Sequence, residues 1–175
     1  MGTMHCCTGN GTRALYYLWD HILRYDSGRL RVNLLLNRAS PWADVDSHIP
    51  YMGQVDVKVK QPVDLSLRIP EWVKPSEVRV QVNGQDRRVS WAGRYVQVGE
   101  MKPGNVATML FPIAERTDNA FIEKERYWLV RKGNDVVKIE PPGRYCPIYQ
   151  REHYRVNSTR WRQMERFVSQ EVIHW

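Results

Sequence analysis

Cys6 and Cys7 stand side by side in the stretch His5-Cys6-Cys7-Thr8-Gly9-Asn10-Gly11-Thr12-Arg13. Adjacent thiols are seldom needed for packing. They can share a metal ion, close a strained vicinal disulfide, or provide a nucleophile with a helper. Only five residues precede Cys6, so groups that cooperate with the pair must come from later in the chain or from elsewhere. Cys146 lies far from the pair in sequence. It reads as an inert buried thiol, because three cysteines do not make a disulfide framework.

The pair precedes a helix. Leu15, Leu18, Trp19, Ile22 and Leu23 fall at helical spacing and form a single apolar stripe. Asn10 or Thr12 serves as its cap, and Gly28 after Tyr25-Asp26-Ser27 marks its end. The cysteines thus sit at the helix start, where the positive end of the macrodipole attracts negative charge.

Beyond Gly28 the texture becomes that of strands. Leu30 to Leu36 is an apolar run read as buried on both faces. Val55, Val57 and Val59 alternate with polar residues, as do Val63, Leu65, Leu67 and Ile69. Val78, Val80 and Val82 run into Asn83-Gly84, a strong hairpin signal. Tyr95 to Val98 and Val106 to Phe111 flank a turn at Lys102-Pro103-Gly104-Asn105. Short strands with Pro and Gly turns predict a mainly β chain built on an antiparallel, jelly-roll-like β-sandwich. A boundary falls near Arg116-Thr117-Asp118-Asn119. Tyr127 to Arg131, Asp135 to Ile139 and Tyr145 to Tyr149 then read as part of a second small sheet. The tail from Trp161 fits helix or strand.

Composition narrows the function classes. The formal charge is +7 over 175 residues, but basic residues are interleaved with acids and no nucleic-acid-binding motif is present, so nucleic acid is not an expected partner. No apolar run reaches the ~18 residues of a membrane span, so no membrane association is expected. No signal peptide is visible, which favours the cytoplasm. His5 reads as structural or exposed. Trp42, Trp72 and Trp91 have the type that stacks on sugars, but packing in a sandwich is the expected role. Glu71 and Glu115, the latter beside Arg116, are carboxylates of the acid/base type, yet no second carboxylate is placed by spacing, so surface roles are expected.

Several phrases together resemble the β-L-arabinofuranosidases of glycoside hydrolase family 127. They are His5-Cys6-Cys7-Thr8-Gly9-Asn10 with Arg13, then Val32-Asn33-Leu34-Leu35-Leu36-Asn37, Arg68-Ile69-Pro70-Glu71-Trp72, Val82-Asn83-Gly84 and Lys102-Pro103-Gly104-Asn105. Their order and spacing, with the double cysteine first, carry the resemblance. Pro147-Ile148-Tyr149-Gln150-Arg151 resembles a separate branch of the family, so substrate identity transfers poorly.

In that family an N-terminal (α/α)6 barrel holds the active site and β-sandwich domains follow it. The resemblance implies that residues 1–28 are the last loop and helix of such a barrel. Residues 29–117 would be a β-sandwich, and 118–175 a second small β-domain or C-terminal extension. It also implies that Cys6 corresponds to a glycosyl nucleophile and zinc ligand, and Cys7 to a neighbouring zinc ligand. The other zinc ligands and the acid/base glutamate belong upstream in the family. The chain is therefore expected to be a C-terminal glycosidase fragment, inactive alone and holding no zinc stably. Its expected partners are carbohydrate, L-arabinofuranosides among them, and a missing barrel or a second copy. The alternative is a non-catalytic β-sandwich that binds carbohydrate or supports assembly.

Overall fold

The computed structural model describes residues 5–143, 149–159 and 168, with the side chains of His5, Cys6 and Thr8 excepted. Cys146, nearly all of the expected strand at 145–149, and the tail from Trp161, Val168 apart, lie outside the described residues.

Helix α1 spans His5–Asp20. It ends earlier than the apolar spacing predicts, because Ile22 and Leu23 are drawn into a different core. Ile22 is 4% and Leu23 3% exposed within the sandwich, and Leu23–Asp26 is strand β1. Ser27 and Gly28 then take φ of 48° and 84°, the left-handed pair of a type I′ hairpin, and lead into β2 (Arg29–Val32). Gly28 is therefore a hairpin residue and not a helix cap. β2 alternates, with Leu30 and Val32 buried and Arg29 and Arg31 exposed. The apolar run that follows leaves the sheet, and Leu36 is exposed.

The remaining strands are β3 (Arg38–Ala39), β4 (Ala43–Ser47), β5 (Gln54–Val59), β6 (Val63–Arg68), β7 (Arg79–Val82), β8 (Gln85–Asp86), β9 (Ser90–Ala92), β10 (Tyr95–Met101), β11 (Val106–Leu110), β12 (Glu115–Ile122), β13 (Glu125–Lys132) and β14 (Asp135–Glu140). One sheet runs β1-β2-β6-β10-β9 and another β3-β4-β5-β11-β7-β8. Leu30, Leu65, Leu67 and Val96 from the first and Val45, Val55, Val57 and Met109 from the second share one core at zero exposure. Each such side chain contributes ~1.5–3 kcal/mol by leaving water. This is the expected mainly β sandwich, and among the described strands β2 with β6 is the one parallel pair while the others are antiparallel.

The turns follow their residue types. Asn83 and Gly84 at φ 51° and 80° join β7 to β8 as a type I′ turn. Pro103 followed by Gly104 at φ 84°, closed by the Asn105 N–H donating to the Lys102 carbonyl at 3.0 Å, is a type II turn.

The second small sheet is the meander β12-β13-β14. It starts at Glu115, so Arg116 to Asn119 form a strand where the sequence suggests a boundary. These polar residues suit an edge strand: Asp118 pairs with Arg116 at 3.3 Å and with Arg131 on β13 at 3.0 Å. Trp72 joins this sheet to the sandwich. Its ring packs edge-on to Phe111 at 5.9 Å, and its Nε1–H donates to Asn134 Oδ1 at 2.9 Å. A Cβ at Gly133 would stand 2.8 Å from that ring, so only glycine lets the β13–β14 turn approach.

Candidate functional site

Cys6 and Cys7 lie in the first turn of α1 and not ahead of it. Cys7 is exposed. Asn10 and Thr12, expected as caps, are inside the helix, and the Thr12 hydroxyl donates back to the Gly9 carbonyl at 2.9 Å. Among the described residues, a Cβ at Gly9 or Gly11 would meet nothing within 4 Å, so no close neighbour there demands glycine at either position. Leu15 and Leu18 are 67% and 55% exposed. The stripe that predicts the helix is thus exposed at Leu15 and Leu18, and among the described residues of α1 it is Trp19 that packs against the sandwich core.

The carbonyl end of α1 is held by the sandwich. The Arg38 guanidinium lies 3.8 Å from the centre of the Trp19 ring and donates through Nη1 to the carbonyls of Trp19 and Asp20, the latter at 2.9 Å. Its Nη2 is 4.0 Å from the Asp20 carboxylate. Burial pushes the Arg38 pKa down while Asp20 and Tyr16 push it up, and an arginine stays charged regardless. A cation at a helix C-terminus is stabilised by the macrodipole and the last unpaired carbonyls. Beside it, Asn33 Nδ2 donates to the His21 carbonyl at 3.0 Å. The Tyr95 hydroxyl in turn donates to Asn33 Oδ1 at 2.8 Å.

The remaining sequence candidates have ordinary roles. Trp42 stacks on Tyr25 at 5.0 Å and 11°, and Trp42, Trp72 and Trp91 all pack partly buried against the core. Glu71 is held by Arg68 at 2.9 Å and Arg94 at 3.8 Å. Glu115 receives both Nε and Nη2 of Arg155, at 2.8 and 2.9 Å, which holds its carboxyl below the usual glutamate range. A general acid in glycoside hydrolysis needs the opposite shift. Among the described residues, no three His, Cys, Asp or Glu side chains gather as a metal site.

Two polar clusters are not evident in the sequence. His48, 8% exposed, lies between Asp56 Oδ2 and Thr159 Oγ1, each at 2.9 Å. Asp56 also accepts from Gln54 at 2.9 Å and Thr108 at 2.6 Å. These bonds tie the β4–β5 turn to the segment at Thr159. Lys132, 2% exposed, donates to the Tyr51 and Tyr154 carbonyls at 2.9 and 3.0 Å and to Asn157 Oδ1 at 2.8 Å. Burial lowers its pKa, Glu115 raises it and Arg155 lowers it further. All three ammonium protons are used, so the group ties segments together and has no proton left to direct at a substrate. In sequence, His48 and Lys132 look like any residue of a turn or strand end, and only non-local partners reveal them.

Residues 29–113 match the family model described as the middle domain of GH127 β-L-arabinofuranosidases. The sandwich is GH127-like. Solved structures agree in fold. A glycoside hydrolase is 22% identical, with 77% of this chain and 25% of that one covered and a TM-score of 0.57. A GH127 β-L-arabinofuranosidase from Geobacillus stearothermophilus T6 is 20% identical, with 75% and 23% covered and a TM-score of 0.54. The chain spans about a quarter of the length of these structures. No curated protein matches it. In the structure, the GH127-like sandwich extends beyond the matched residues, because β1, Ile22 and Leu23 complete its edge and core.

Proposed function

We propose that this chain is the sandwich-bearing C-terminal part of a retaining glycoside hydrolase, and that α1 delivers Cys6 and Cys7 to an active site completed by residues upstream of it. The observation that carries the reading is the thiol pair on the first turn of a helix joined directly to a GH127 middle domain. Cys6 would act as the covalent nucleophile, since a thiolate can attack an anomeric carbon. Cys7 would stand beside it as a second sulfur donor. Zinc suits paired thiolates, but its remaining ligands would have to come from the barrel. The acid/base carboxylate would come from there too, because Glu71 and Glu115 are both engaged by arginines. Substrates would be furanosides of the β-L-arabinofuranosyl class, as the names of the similar proteins suggest. The division into a terminal helix, a β-sandwich and a second small β-domain belongs to the same proposal, with its borders moved from residues 28 and 117 to before Ile22 and Glu115, because Ile22 and Leu23 are buried in the sandwich and β12 starts at Glu115.

The test is hydrolysis of an aryl β-L-arabinofuranoside by the chain alone and by the chain fused to the polypeptide encoded immediately upstream. The expected result is no turnover alone, turnover in the fusion, and its loss with Cys6→Ser. Turnover that survives Cys6→Ser would overturn the assignment. Tight binding of arabino-oligosaccharides by the chain alone would favour a non-catalytic carbohydrate-binding module instead.

A further inference from the structure

We infer that Arg38, backed by Asn33, is a positioning residue: the sandwich, through this clamp, sets the direction in which α1 carries its cysteines. The middle of the helix has no cover of its own, with Leu15 and Leu18 exposed. Its hold on the sandwich is concentrated at the carbonyl end. There one guanidinium uses its flat face on Trp19, its Nη1 on the Trp19 and Asp20 carbonyls, and its charge on Asp20. The Arg38 side chain is 9% exposed, and its Nε is buried with no partner among the described residues. An unpaired polar atom is tolerated where the rest of the group is fixed by several contacts at once. Asn33 adds a second point of attachment at the His21 carbonyl and is itself fixed by Tyr95. The two attachments grip consecutive carbonyls, Trp19 to His21, and so fix the orientation of the last turn from which the rest of the helix projects.

Leverage makes this matter. Sixteen residues at ~1.5 Å each give a helix of about 24 Å. A tilt of about 10° at the clamp displaces the opposite end by roughly 4 Å over that length. Reacting groups lose rate on displacements of about 1 Å. Lysine is no substitute, because it cannot lie flat on an indole while donating to two carbonyls in a fixed fork. The inference rests on the preceding reading only for the purpose it gives this direction. The helix axis can be measured whether or not the thiols react.

The test places nitroxide labels at Cys7 and at Lys102→Cys, in the exposed β10–β11 turn, in a full chain carrying Cys6→Ser and Cys146→Ser. Pulsed electron resonance should give one narrow distance distribution. Arg38→Met should at least double its width, with the sandwich still folded by denaturant titration, and Arg38→Lys should not restore it. Should Arg38→Met fail to fold, Asn33→Ala and Tyr95→Phe are the milder variants, and each should broaden the distribution. An unchanged width in folded Arg38→Met, or in both milder variants, would overturn the inference, as would recovery with lysine. A fall in sandwich stability with the width unchanged would mark Arg38 as purely structural and count equally against it.

Discussion

The two β regions of this chain are stabilised by different means. In the sandwich, two sheets face each other and valines and leucines reach zero exposure. In the β12-β13-β14 meander, Val137 is the buried apolar side chain, while Phe121, Ile122 and Trp128 stay exposed. The meander is instead fastened by directional contacts: Trp72 to Asn134, Lys132 to two carbonyls and an amide, and Arg155 to Glu115. A core built on area is robust because it is summed over many atoms. An attachment built on a few polar groups is specific but fails one contact at a time.

The contrast can be broken by substitution. Leu65→Ala, at a fully buried position, should cost ~2–5 kcal/mol in chemical denaturation and loosen both regions together, since the meander has no comparable core to stand on. Lys132→Ala removes a buried ammonium and leaves its three acceptors without their donor, and should cost about 1–3 kcal/mol. Amides of β12 to β14 should then exchange at least tenfold faster while those of β5 and β11 hold. Equal loosening of both regions would mean that the sandwich depends on the meander as well. Gly133→Ala puts a side chain at φ 60° against Trp72 and should cost at least ~1–2 kcal/mol, visible as a shift in tryptophan emission.

The smallest expected effect is a pH dependence. Arg155 holds the Glu115 carboxyl below its ordinary range. Its stabilisation is therefore fully present above the unfolded-state value near ~4.3 and is lost as pH falls through the lower folded-state value. Water screens this pair, so the loss should be ~0.2–1 kcal/mol. Thermal melts of Glu115→Gln should show a flatter acid limb than the parent.

Much of the sandwich is legible in the sequence because its signals are local. Val55, Val57 and Val59 alternate as strand β5 does, and Asn83-Gly84 and Pro103-Gly104 name their own turns. The helix end is not legible. Ile22 and Leu23 fit the helical stripe by spacing, yet tertiary burial claims them for the sandwich. The parallel pairing of β2 with β6 is likewise non-local, and no short-range pattern announces it. The edge strand β12 is hidden for another reason, because solvent-facing ion pairs give it the composition of a linker. At the candidate site the thiol pair is obvious from residue type alone. Arg38 is not, since an arginine after Asn37 carries no mark of the carbonyls it reaches.

The Ser27-Gly28 hairpin has a bearing on how the protein can be taken apart. It folds the residues after α1 back as the border strand of the sandwich, with Ile22 and Leu23 sealed inside. A cut at residue 28 would open a hydrophobic flank and leave an unfinished sheet. Any dissection, exchange or recombination of the thiol helix therefore has to divide the chain before Ile22. Between that point and the end of α1 lie only one or two peptide bonds in which the two parts can be exchanged without damaging either.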